Sequence, residues 1–342
     1  MGNDFCNVSK RVKDLDLKTE FGIIDENSQE KDLKILNQED KLMDNNSKIN
    51  NEKTKSLEIK LNEYGKIIKN EEIDEIIKEK IKNIPDFLNI DKLDLSIHQT
   101  ELNKIPNNPI IKFKKDGTIY QGNWNNNYQK EGYGIYIIPD GGIYKGIYKN
   151  DIMDNYGIFI DENGNYYKGN LKNGKEEGNG ELLIKDKFKY YGEFSNDIQN
   201  GKGKEENLVD GSIYEGDFVN GVKNGKGKLT LKNGTTYIGD FKNGKFDGEG
   251  MINFIDGRIY KGEFKNNMMN GQGEFIWKDG SKYIGYYKNN QKHGFGKYEF
   301  NPNKYYEGYW YNNKQHGQGF YFYNGKKLKG LFRYGKIIMK QN

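Results

Sequence analysis

The last two-thirds of the chain repeats one pattern of aromatic, glycine and polar positions every 23 residues. With Tyr214 as position 0 of one unit, Gly216 lies at +2 and Phe218 at +4, and Tyr237 opens the next unit. Successive side chains in a strand point to opposite faces, so positions 0, +2 and +4 share one face. The pattern therefore predicts a strand at the start of each unit, with the aromatic side chains on a single face.

The second half of each unit predicts another strand, from about +11 to +17. Glycines at +11 and +13 precede apolar residues at +15 and +17, such as Ile252 and Phe254, while the positions between them are mostly polar. Asn-Gly or Asp-Gly then follows at +19 and +20, a pair typical of tight hairpin turns that need φ > 0. Each unit is therefore predicted to be a β-hairpin with one aromatic and glycine face and one mainly solvated face.

Nine units follow this frame, and a partial tenth follows at Gly330 and Phe332. Asn155 replaces the first glycine of its pair, Pro302-Asn303 lacks the turn glycine, and two units carry one extra residue each. The nine opening tyrosines are Tyr120, Tyr144, Tyr167, Tyr190, Tyr214, Tyr237, Tyr260, Tyr283 and Tyr306.

The fold class that follows is an all-β repeat array, an elongated and twisted antiparallel meander of about 18 strands. A glycine leaves a notch in the pleated surface where a neighbouring ring can lie. Burial of a ring contributes roughly 1.5–3 kcal/mol, which outweighs the ~0.5–1 kcal/mol cost of a glycine in a strand. A hairpin over Ile110–Trp124, turning at Asp116-Gly117, is expected to begin the sheet, and the segment Leu328–Met339 is expected to close it.

Residues before the array have a different composition. Residues 1–60 are polar and predicted to be mostly disordered. Residues 61–105 are predicted to hold an amphipathic helix, over about 61–84, and a linker, because isoleucines from Ile73 to Ile84 follow helical spacing and Pro85 ends it. That helix packs on the repeats or docks a partner helix. The repeat domain is assigned to residues 106–342.

Tyr-x-Gly-x-aromatic followed by Gly-x-Gly, repeated over Lys112 to Tyr334, resembles the MORN (membrane occupation and recognition nexus) repeat. The resemblance implies a non-catalytic scaffold at a membrane–cytoskeleton junction, as in junctophilin-like, radial-spoke and cell-division MORN proteins. It also implies protein partners and phosphoinositide or other anionic phospholipid as a ligand. MORN arrays accompany lipid kinases and methyltransferases, but the 105 residues outside this array are too few and too polar for either catalytic domain.

The predicted protein-binding surface is the aromatic face, on which a homodimer could also form. Its candidate residues are Tyr214, Phe218, Tyr237, Phe241, Tyr260, Phe264, Trp277, Tyr283, Tyr306 and Trp310.

Charge distribution favours an anionic ligand at the C-terminal end. The formal net charge is +4, yet residues 260–342 hold 15 Lys and Arg against 5 Asp and Glu. The alternative is a solvated face without a ligand. The candidate contacts to anionic lipid are Lys265, Lys288, Lys292, Lys314, Lys326, Lys327, Lys329 and Arg333.

The N-terminus carries a second membrane signal. Removal of Met1 exposes Gly2 for N-myristoylation, although Cys6 stands where that motif prefers Ser or Thr. Cys6 is the only cysteine and suits palmitoylation, and two lipid chains anchor a protein stably. The alternative is a chance match.

Enzymatic chemistry is not expected, and neither a cofactor, a metal nor nucleic acid is predicted as a ligand. His293 and His316 share position +10 of consecutive units, about 10 Å apart if adjacent strands are spaced normally, too far for joint metal ligation. Acidic residues such as Asp217, Asp240 and Glu263 at +3 are expected to pair with lysines of the repeats. Without a long apolar segment or secretory signal, the expected location is cytoplasmic, at a membrane or the cytoskeleton. An assembly strut without lipid contact is the alternative function.

Overall fold

The computed structural model describes residues 65–68, 72, 75, 110–113, 115–139 and 141–341. The described residues form 22 strands in two compact units, the first ending at Lys185 apart from residues 195–197, the second comprising residues 186–194 and 198–342. The strands are β1 Gly65–Ile68, β2 Ile110–Phe113, β3 Ile119–Trp124, β4 Lys130–Ile137, β5 Ile143–Lys149, β6 Ile152–Ile160, β7 Tyr166–Lys172, β8 Lys175–Ile184, β9 Phe188–Ser195, β10 Ile198–Asn207, β11 Ile213–Val219, β12 Val222–Thr230, β13 Thr236–Lys242, β14 Lys245–Asn253, β15 Ile259–Lys265, β16 Met268–Ile276, β17 Lys282–Lys288, β18 Gln291–Asn301, β19 Lys304–Tyr311, β20 Lys314–Tyr323, β21 Lys326–Arg333 and β22 Lys336–Gln341.

Within each unit, every strand pairs antiparallel with the next strand of the chain, so the predicted meander of hairpins is confirmed. In one repeat, β13 and β14 pair with Tyr237 opposite Ile252. Burial alternates along β13: Tyr237 and Phe241 are buried, while Ile238 and Lys242 are exposed. The strand number exceeds the predicted 18 because strands outside the nine repeats, including β1, β2 and β22, join the array.

The tight hairpin turns lie at +6 and +7, not at +19 and +20 as the sequence predicts. Asn220 and Gly221 have φ of 50° and 76°, the double positive φ of a type I′ turn. At +19 and +20 the loop is longer, because Leu231 N–H donates to the carbonyl of Thr235 across three intervening residues. Only Gly234 has positive φ there, and the Asn233 side chain accepts a hydrogen bond from Thr235 N–H at 2.9 Å. The asparagine at +19 therefore stabilises the loop through its side-chain oxygen and does not adopt the positive φ that the sequence predicts.

An asparagine at +7 connects neighbouring repeats. Asn290 has φ of 65°, and its N–H donates to the Met269 carbonyl at 3.0 Å. Its side-chain Oδ1 accepts from Met269 N–H at 2.7 Å. Asn313 and Lys292 repeat this two-way bridge in the following repeat. The bridge ties each turn to the second strand of the preceding hairpin.

The two glycines of Gly-x-Gly have different structural causes. Gly239 faces Gly250 and Phe241 faces Phe246, so three residues, 247–249, lie opposite the single residue Asp240 in a β-bulge. The first glycine, Gly248, adopts φ of +118° in this bulge. Asn155, which replaces that glycine in an earlier repeat, also has positive φ, 63°. The first position therefore requires a left-handed conformation, whereas the second meets a tyrosine ring.

The segment predicted to be helical contains a strand. β1 pairs antiparallel with β2, Gly65 opposite Phe113 and Ile68 opposite Ile110, whereas Glu72 and Glu75 are helical. The helix prediction over 61–84 is therefore wrong at its start. The isoleucine periodicity begins only at Ile73, whereas Ile67 and Ile68 of β1 are adjacent β-branched residues, which favour a strand. The described residues do not include the segment 1–60 or the isoleucines of the predicted helix, Ile73, Ile76, Ile77, Ile81 and Ile84.

The predicted hairpin over Ile110–Trp124 is present as β2 and β3, with Gly117 at φ of 72° and the Asp116 side chain accepting from Thr118 N–H. At the other end, β21 and β22 occupy the segment expected to close the sheet.

Candidate interaction faces

Every repeat seats its opening tyrosine on a pair of glycines. Gly216 and Gly227 face each other across β11 and β12, and the ring of the fully buried Tyr214 lies over them. A Cβ at Gly227 would approach the Tyr214 ring to 2.5 Å, too close for any side chain. The Tyr214 hydroxyl donates to the Asp217 carbonyl at 2.9 Å, so the buried phenol is satisfied. Burial raises the pKa of this hydroxyl above its ordinary range.

All nine opening tyrosines make the same bond to the carbonyl at +3. The acceptors are Asn123, Ile147, Asn170, Glu193, Asp217, Asp240, Glu263, Tyr286 and Tyr309.

Rings of successive repeats interlock edge to face. Tyr237 meets Phe241 of its own repeat and Phe264 of the next, each at 5.2 Å between ring centroids and nearly perpendicular. Each such pair contributes about 0.5–1.5 kcal/mol beyond simple burial. In the second unit the same ladder runs from Tyr190 to Phe332. The sheet face that carries these tyrosines is called the tyrosine face.

The structure places nine of the ten predicted face residues among buried side chains, and Trp277 is partly exposed. The buried ones are Tyr214, Phe218, Tyr237, Phe241, Tyr260, Phe264, Tyr283, Tyr306 and Trp310. These nine side chains form the packed interior and leave little surface for a partner.

Position +9, which the sequence frame does not single out, covers the tyrosine ring. Phe246 stacks on Tyr237 with ring centroids 3.7 Å apart. Lys223 lies over Tyr214 at 5.1 Å and pairs with Glu205 at 2.8 Å. The residue type changes from repeat to repeat, so periodicity alone gives no signal for this role.

Lys292 occupies +9 of its repeat and differs from the exposed lipid contact that the sequence predicts. Its ammonium lies 4.6–5.4 Å from the centroids of four rings, Trp277, Tyr283, Tyr298 and Trp310. Burial lowers the pKa of Lys292 from 10.5 to about 8. Attraction between the cation and the ring faces offsets part of this desolvation.

A partly exposed apolar strip runs along the tyrosine face at +15 and +17. Ring contacts connect Phe254 to Phe275 at 5.9 Å, Phe275 to Trp277 at 4.6 Å, and Trp277 to Tyr298 at 5.1 Å. Phe300 extends the series at 4.6 Å from Tyr298 and is exposed. We call these five residues the apolar strip, and Leu231 and Tyr323 are exposed at the equivalent +17 positions on either side.

The other seven predicted lipid contacts are exposed. Lys265 and Lys288 end β15 and β17, Lys314 begins β20, and the remaining four lie on β21. The exposed side chains are Lys265, Lys288, Lys314, Lys326, Lys327, Lys329 and Arg333. They are spread over several strands and over both faces, since Lys326 lies opposite Tyr323 on the tyrosine face, whereas Lys327 and Lys329 lie opposite Phe322 and Phe320 on the other face. We call these seven residues the C-terminal cationic surface. Gly2 and Cys6 lie outside the described residues.

Acidic residues at +3 cap the bulge on the opposite face. The Asp240 carboxylate accepts from Glu249 N–H at 2.9 Å, and the same bond recurs in the repeats of Tyr190, Tyr214 and Tyr260. The expected pairing with lysines is also present: Lys226 Nζ is 2.6 Å from Asp240, and Lys202 pairs with Asp217.

The opposite face becomes aromatic in the last two repeats, where the sequence predicts a mainly solvated surface. Tyr286 and Tyr309 replace the acidic residue at +3, and Phe295 contacts Tyr309 edge to face at 5.6 Å. Tyr305 stacks on Phe322 at 4.9 Å and meets Phe320 at 5.9 Å. We call these six residues the aromatic patch. The sequence does show aromatic residues at the positions of β17–β20 that alternate with those of the tyrosine face. The stronger repeat pattern hides them.

In the described part of the chain, no group of three or more His, Cys, Asp or Glu is placed to hold a metal ion. The rings of His293 and His316 lie on either side of Tyr311, at 5.3 and 5.6 Å. None of the helical residues described forms a segment with the length and apolar character needed to cross a bilayer.

The family model described as "MORN repeat" matches nine consecutive segments of the chain. They are residues 120–143, 144–166, 167–186, 190–206, 214–236, 237–257, 260–282, 283–303 and 306–327. The protein belongs to the MORN-repeat family. MORN repeats generally form non-catalytic scaffolds. In this MORN protein, the tyrosine and glycine positions of the motif are those at which a tyrosine ring packs on two paired glycines.

Comparisons with other proteins add little to the family assignment. No curated protein matches the MORN chain. The TCP10 domain of Danio rerio CPAP aligns with a TM-score of 0.34 and 13% identity over 68% of this chain and 98% of that one. The SAS-4 (dCPAP) TCP domain of Drosophila melanogaster, solved in complex with a proline-rich motif of Ana2 (dSTIL), aligns with a TM-score of 0.26 and 14% identity over 65% and 88%. Similarities at these TM-scores carry no conclusion.

Proposed function

We propose that this MORN-repeat protein is a non-catalytic scaffold that binds protein partners through the apolar strip and anionic phospholipid through its C-terminal cationic surface. It would act at the cytoplasmic face of a membrane or at a membrane–cytoskeleton junction. The observation that carries the proposal is the strip itself. Five connected aromatic residues extend the apolar surface beyond the tyrosine ladder. Phe300 is exposed, Phe254, Trp277 and Tyr298 are half-buried, and Phe275 is buried. A contiguous and partly exposed apolar surface marks interaction sites in proteins.

Two features support the lipid half of the proposal. Seven exposed cationic side chains lie in the last repeats, and each basic residue close to an anionic membrane contributes about 1 kcal/mol. Gly2 and Cys6 offer two acylation positions, which together would anchor the chain more firmly than one.

The partner half is tested by quantitative affinity capture from native cells with a C-terminally tagged protein. Phe254→Ser combined with Phe300→Ser removes the two ends of the strip. Ile238→Ser is the matched control, because Ile238 is an apolar residue with 45% exposure on the opposite face. Proteins captured by the wild type should be lost from the double variant and retained by the control. Equal capture by the double variant would remove the strip as the binding site.

Vesicle flotation tests the lipid half, with protein made in cells that acylate. Gly2→Ala and Cys6→Ser should weaken flotation on neutral and anionic vesicles alike if lipid chains anchor the protein. Combined Lys265→Glu, Lys288→Glu and Lys326→Glu, which leave the lysines over the aromatic patch unchanged, should weaken it only on anionic vesicles, and more at low salt. If no form floats on any vesicle, the lipid half is wrong.

The second candidate function is an assembly strut without lipid contact, in which the strip is buried between two copies of the chain. The exposed ring of Phe300 and the half-buried rings beside it favour this assembly, because a second copy of the chain would cover them. Light scattering after size-exclusion chromatography decides: a dimer that dissociates in the Phe254→Ser and Phe300→Ser variant supports the strut, and a monomer at high concentration excludes it.

A further inference from the structure

The aromatic patch on the face opposite the tyrosines departs from a pattern that the four preceding repeats follow. The first three repeats, with Asn123, Ile147 and Asn170 at +3, do not follow it either. In four consecutive earlier repeats, an acidic side chain at +3 accepts a hydrogen bond from the bulge N–H at +12. Tyr286 and Tyr309 occupy +3 in the last two repeats and offer no carboxylate to that N–H. Local rules are broken most often where a surface has a second task.

The patch is exposed, whereas positions +3 and +12 are polar in the four repeats that directly precede it. Phe295 is 54% exposed, Tyr309 52% and Tyr286 37%. Phe295 and Tyr309 are directly opposite in the β18–β19 register, and Tyr305 is opposite Phe322 in the β19–β20 register. Two ring pairs on neighbouring strands therefore leave their faces and edges open to a segment laid across β18–β20.

Cations lie on and around these rings. Lys327 Nζ is 3.5 Å from the Phe320 ring centroid, and Lys297 Nζ is 4.1 Å from that of Tyr305. Residues 280–342 hold 12 Lys and Arg but only two acidic residues, Glu299 and Glu307. A ligand of this surface must therefore be negatively charged and must also cover aromatic rings.

A protein segment fits these features better than a membrane. Tyrosine and phenylalanine are enriched at protein interfaces, whose rim is polar. Membrane-inserting aromatics extend from loops or amphipathic helices, whereas Tyr305 and Phe322 are stacked on a sheet face at an interplanar angle of 18°. Lys297 pairs with Glu299 at 3.1 Å, so a carboxylate of the partner would share this lysine with Glu299.

We propose that the aromatic patch docks an extended acidic segment of a partner protein, whose apolar or aromatic side chains cover Phe295 and Tyr309 and whose carboxylates meet Lys297 and Lys327. This surface goes beyond the scaffold function argued from the tyrosine face. It provides the second unit with a binding site on each side of its sheet, so that two partners can be held by the same repeats.

The test is a selection of random 12-residue displayed peptides on the full-length protein, followed by fluorescence anisotropy with the enriched peptide. Enriched sequences should combine Asp or Glu with aromatic or large aliphatic residues. Phe295→Ser with Tyr309→Ser, and separately Lys297→Glu with Lys327→Glu, should each weaken binding at least tenfold. Ile238→Ser, a change at an exposed apolar residue on the same face but outside the patch, should leave it unchanged. Thermal melts of each variant establish that it is folded.

Several results would overturn the docking proposal without touching the strip. These are enrichment of basic or purely apolar peptides, no enrichment at all, or equal binding of the peptide to the patch variants. Vesicles of neutral lipid with and without phosphatidylserine provide the second arm. If the patch variants lose vesicle binding while peptide binding is unchanged, the patch is a membrane contact and the proposal is wrong.

Discussion

At the scale of the residue, one packing relation recurs in every repeat: a tyrosine ring lies over two glycines of neighbouring strands. Tyr237 on Gly239 and Gly250 is representative, since a Cβ at Gly250 would lie 2.5 Å from the ring. The tyrosine hydroxyl then finds its acceptor three residues on, at the Asp240 carbonyl. A chain with mean hydropathy of −0.99 can therefore build its core from rings, because bare backbone supplies the other half of the contact.

Gly250→Ala should lower the free energy of unfolding by roughly 1–3 kcal/mol, the usual range for overpacking, because the ring above has no space to yield. Urea unfolding followed by tyrosine fluorescence measures the change. Gly244→Asn is the control, since a Cβ at Gly244 would lie 3.8 Å from its nearest neighbour and asparagine occupies the same turn position in the next repeat, at Asn267, with φ of 68°. Equal losses in the two variants would show that the ring contact is unimportant.

Lys292→Met should change how stability depends on pH. In the wild type the unfolded chain keeps the Lys292 proton up to about pH 10.5, while the folded chain loses it near pH 8. The unfolded state therefore binds more protons between these values, so wild-type stability should rise with pH across that window. The variant should lack this rise and be the more stable protein at pH 7, because methionine fits a position that Met269 fills in the preceding repeat.

Denaturant unfolding at pH 7, 8, 9 and 10 compares the two proteins. Loss of stability above pH 10 is expected in both, since burial raises the pKa of the ladder tyrosines, as at Tyr283. Parallel pH profiles from pH 8 to 10 would mean that Lys292 keeps its proton among the four rings.

At the scale of the element, the repeating hairpin depends on a turn that links it to its neighbour. Asn290 and Asn313 adopt positive φ at +7 and return a side-chain oxygen to the second strand of the previous hairpin. Where Asp197 stands at the same position, its carboxylate accepts the equivalent bond from Glu176 N–H at 2.8 Å. Both the left-handed conformation and the acceptor therefore matter at +7.

Substitutions at Asn290 should separate the two contributions. Asn290→Gly keeps the conformation but loses the acceptor, a loss of about 1 kcal/mol. Asn290→Ala loses the acceptor and also the short polar side chain that allows asparagine to adopt the left-handed conformation, so it should lose roughly 1–2 kcal/mol more than the glycine variant. Asn290→Asp should be close to the wild type. Differential scanning calorimetry ranks the three, and an alanine variant as stable as the glycine variant would contradict the role of φ.

The elements that the sequence predicts well are those set by short-range alternation. Tyr237 and Phe241 are four residues apart in one strand, an even number, so the pattern alone places both side chains on the same face of the sheet. The pattern misplaces the turns because Asn-Asn at 289–290 is compositionally an ordinary polar pair, and only the pairing of Lys288 with Gln291 shows that it closes a two-residue hairpin. It also fails to predict the strand Gly65–Ile68, because the partner of that strand lies more than 40 residues away, beyond any local period.

The candidate site is predictable in part, for the same reason. Aromatic residues on the tyrosine face follow from the period, but their burial does not, so the pattern assigns residues such as Tyr260 to binding although they pack internally. Lys292 reads as a cationic surface residue because the sequence shows its charge and not the four rings around it. Whether a residue at +9 is buried depends on which rings of the neighbouring strands surround it. That can be known only from the register of those strands.

At the scale of the whole molecule, the protein combines a repeating interior with surfaces that change along the array. In the second unit the tyrosine ladder is continuous, whereas the apolar strip spans three repeats and the aromatic patch only the last two. Positive charge is concentrated in the same last repeats. The interior therefore accounts for membership of the MORN-repeat family, and the departures from the repeat carry the proposed binding.

The seat of tyrosine on paired glycines, present in each of the nine repeats, is tested most directly by NMR of protein labelled with ¹³C-glycine. Ring currents above the glycines should shift the Hα signals of the +2 and +13 glycines strongly upfield as one group. Tyr237→Leu should return only the Gly239 and Gly250 signals to ordinary values. Glycine Hα signals at ordinary positions in the wild type, or a Tyr237→Leu spectrum changed throughout, would contradict the account.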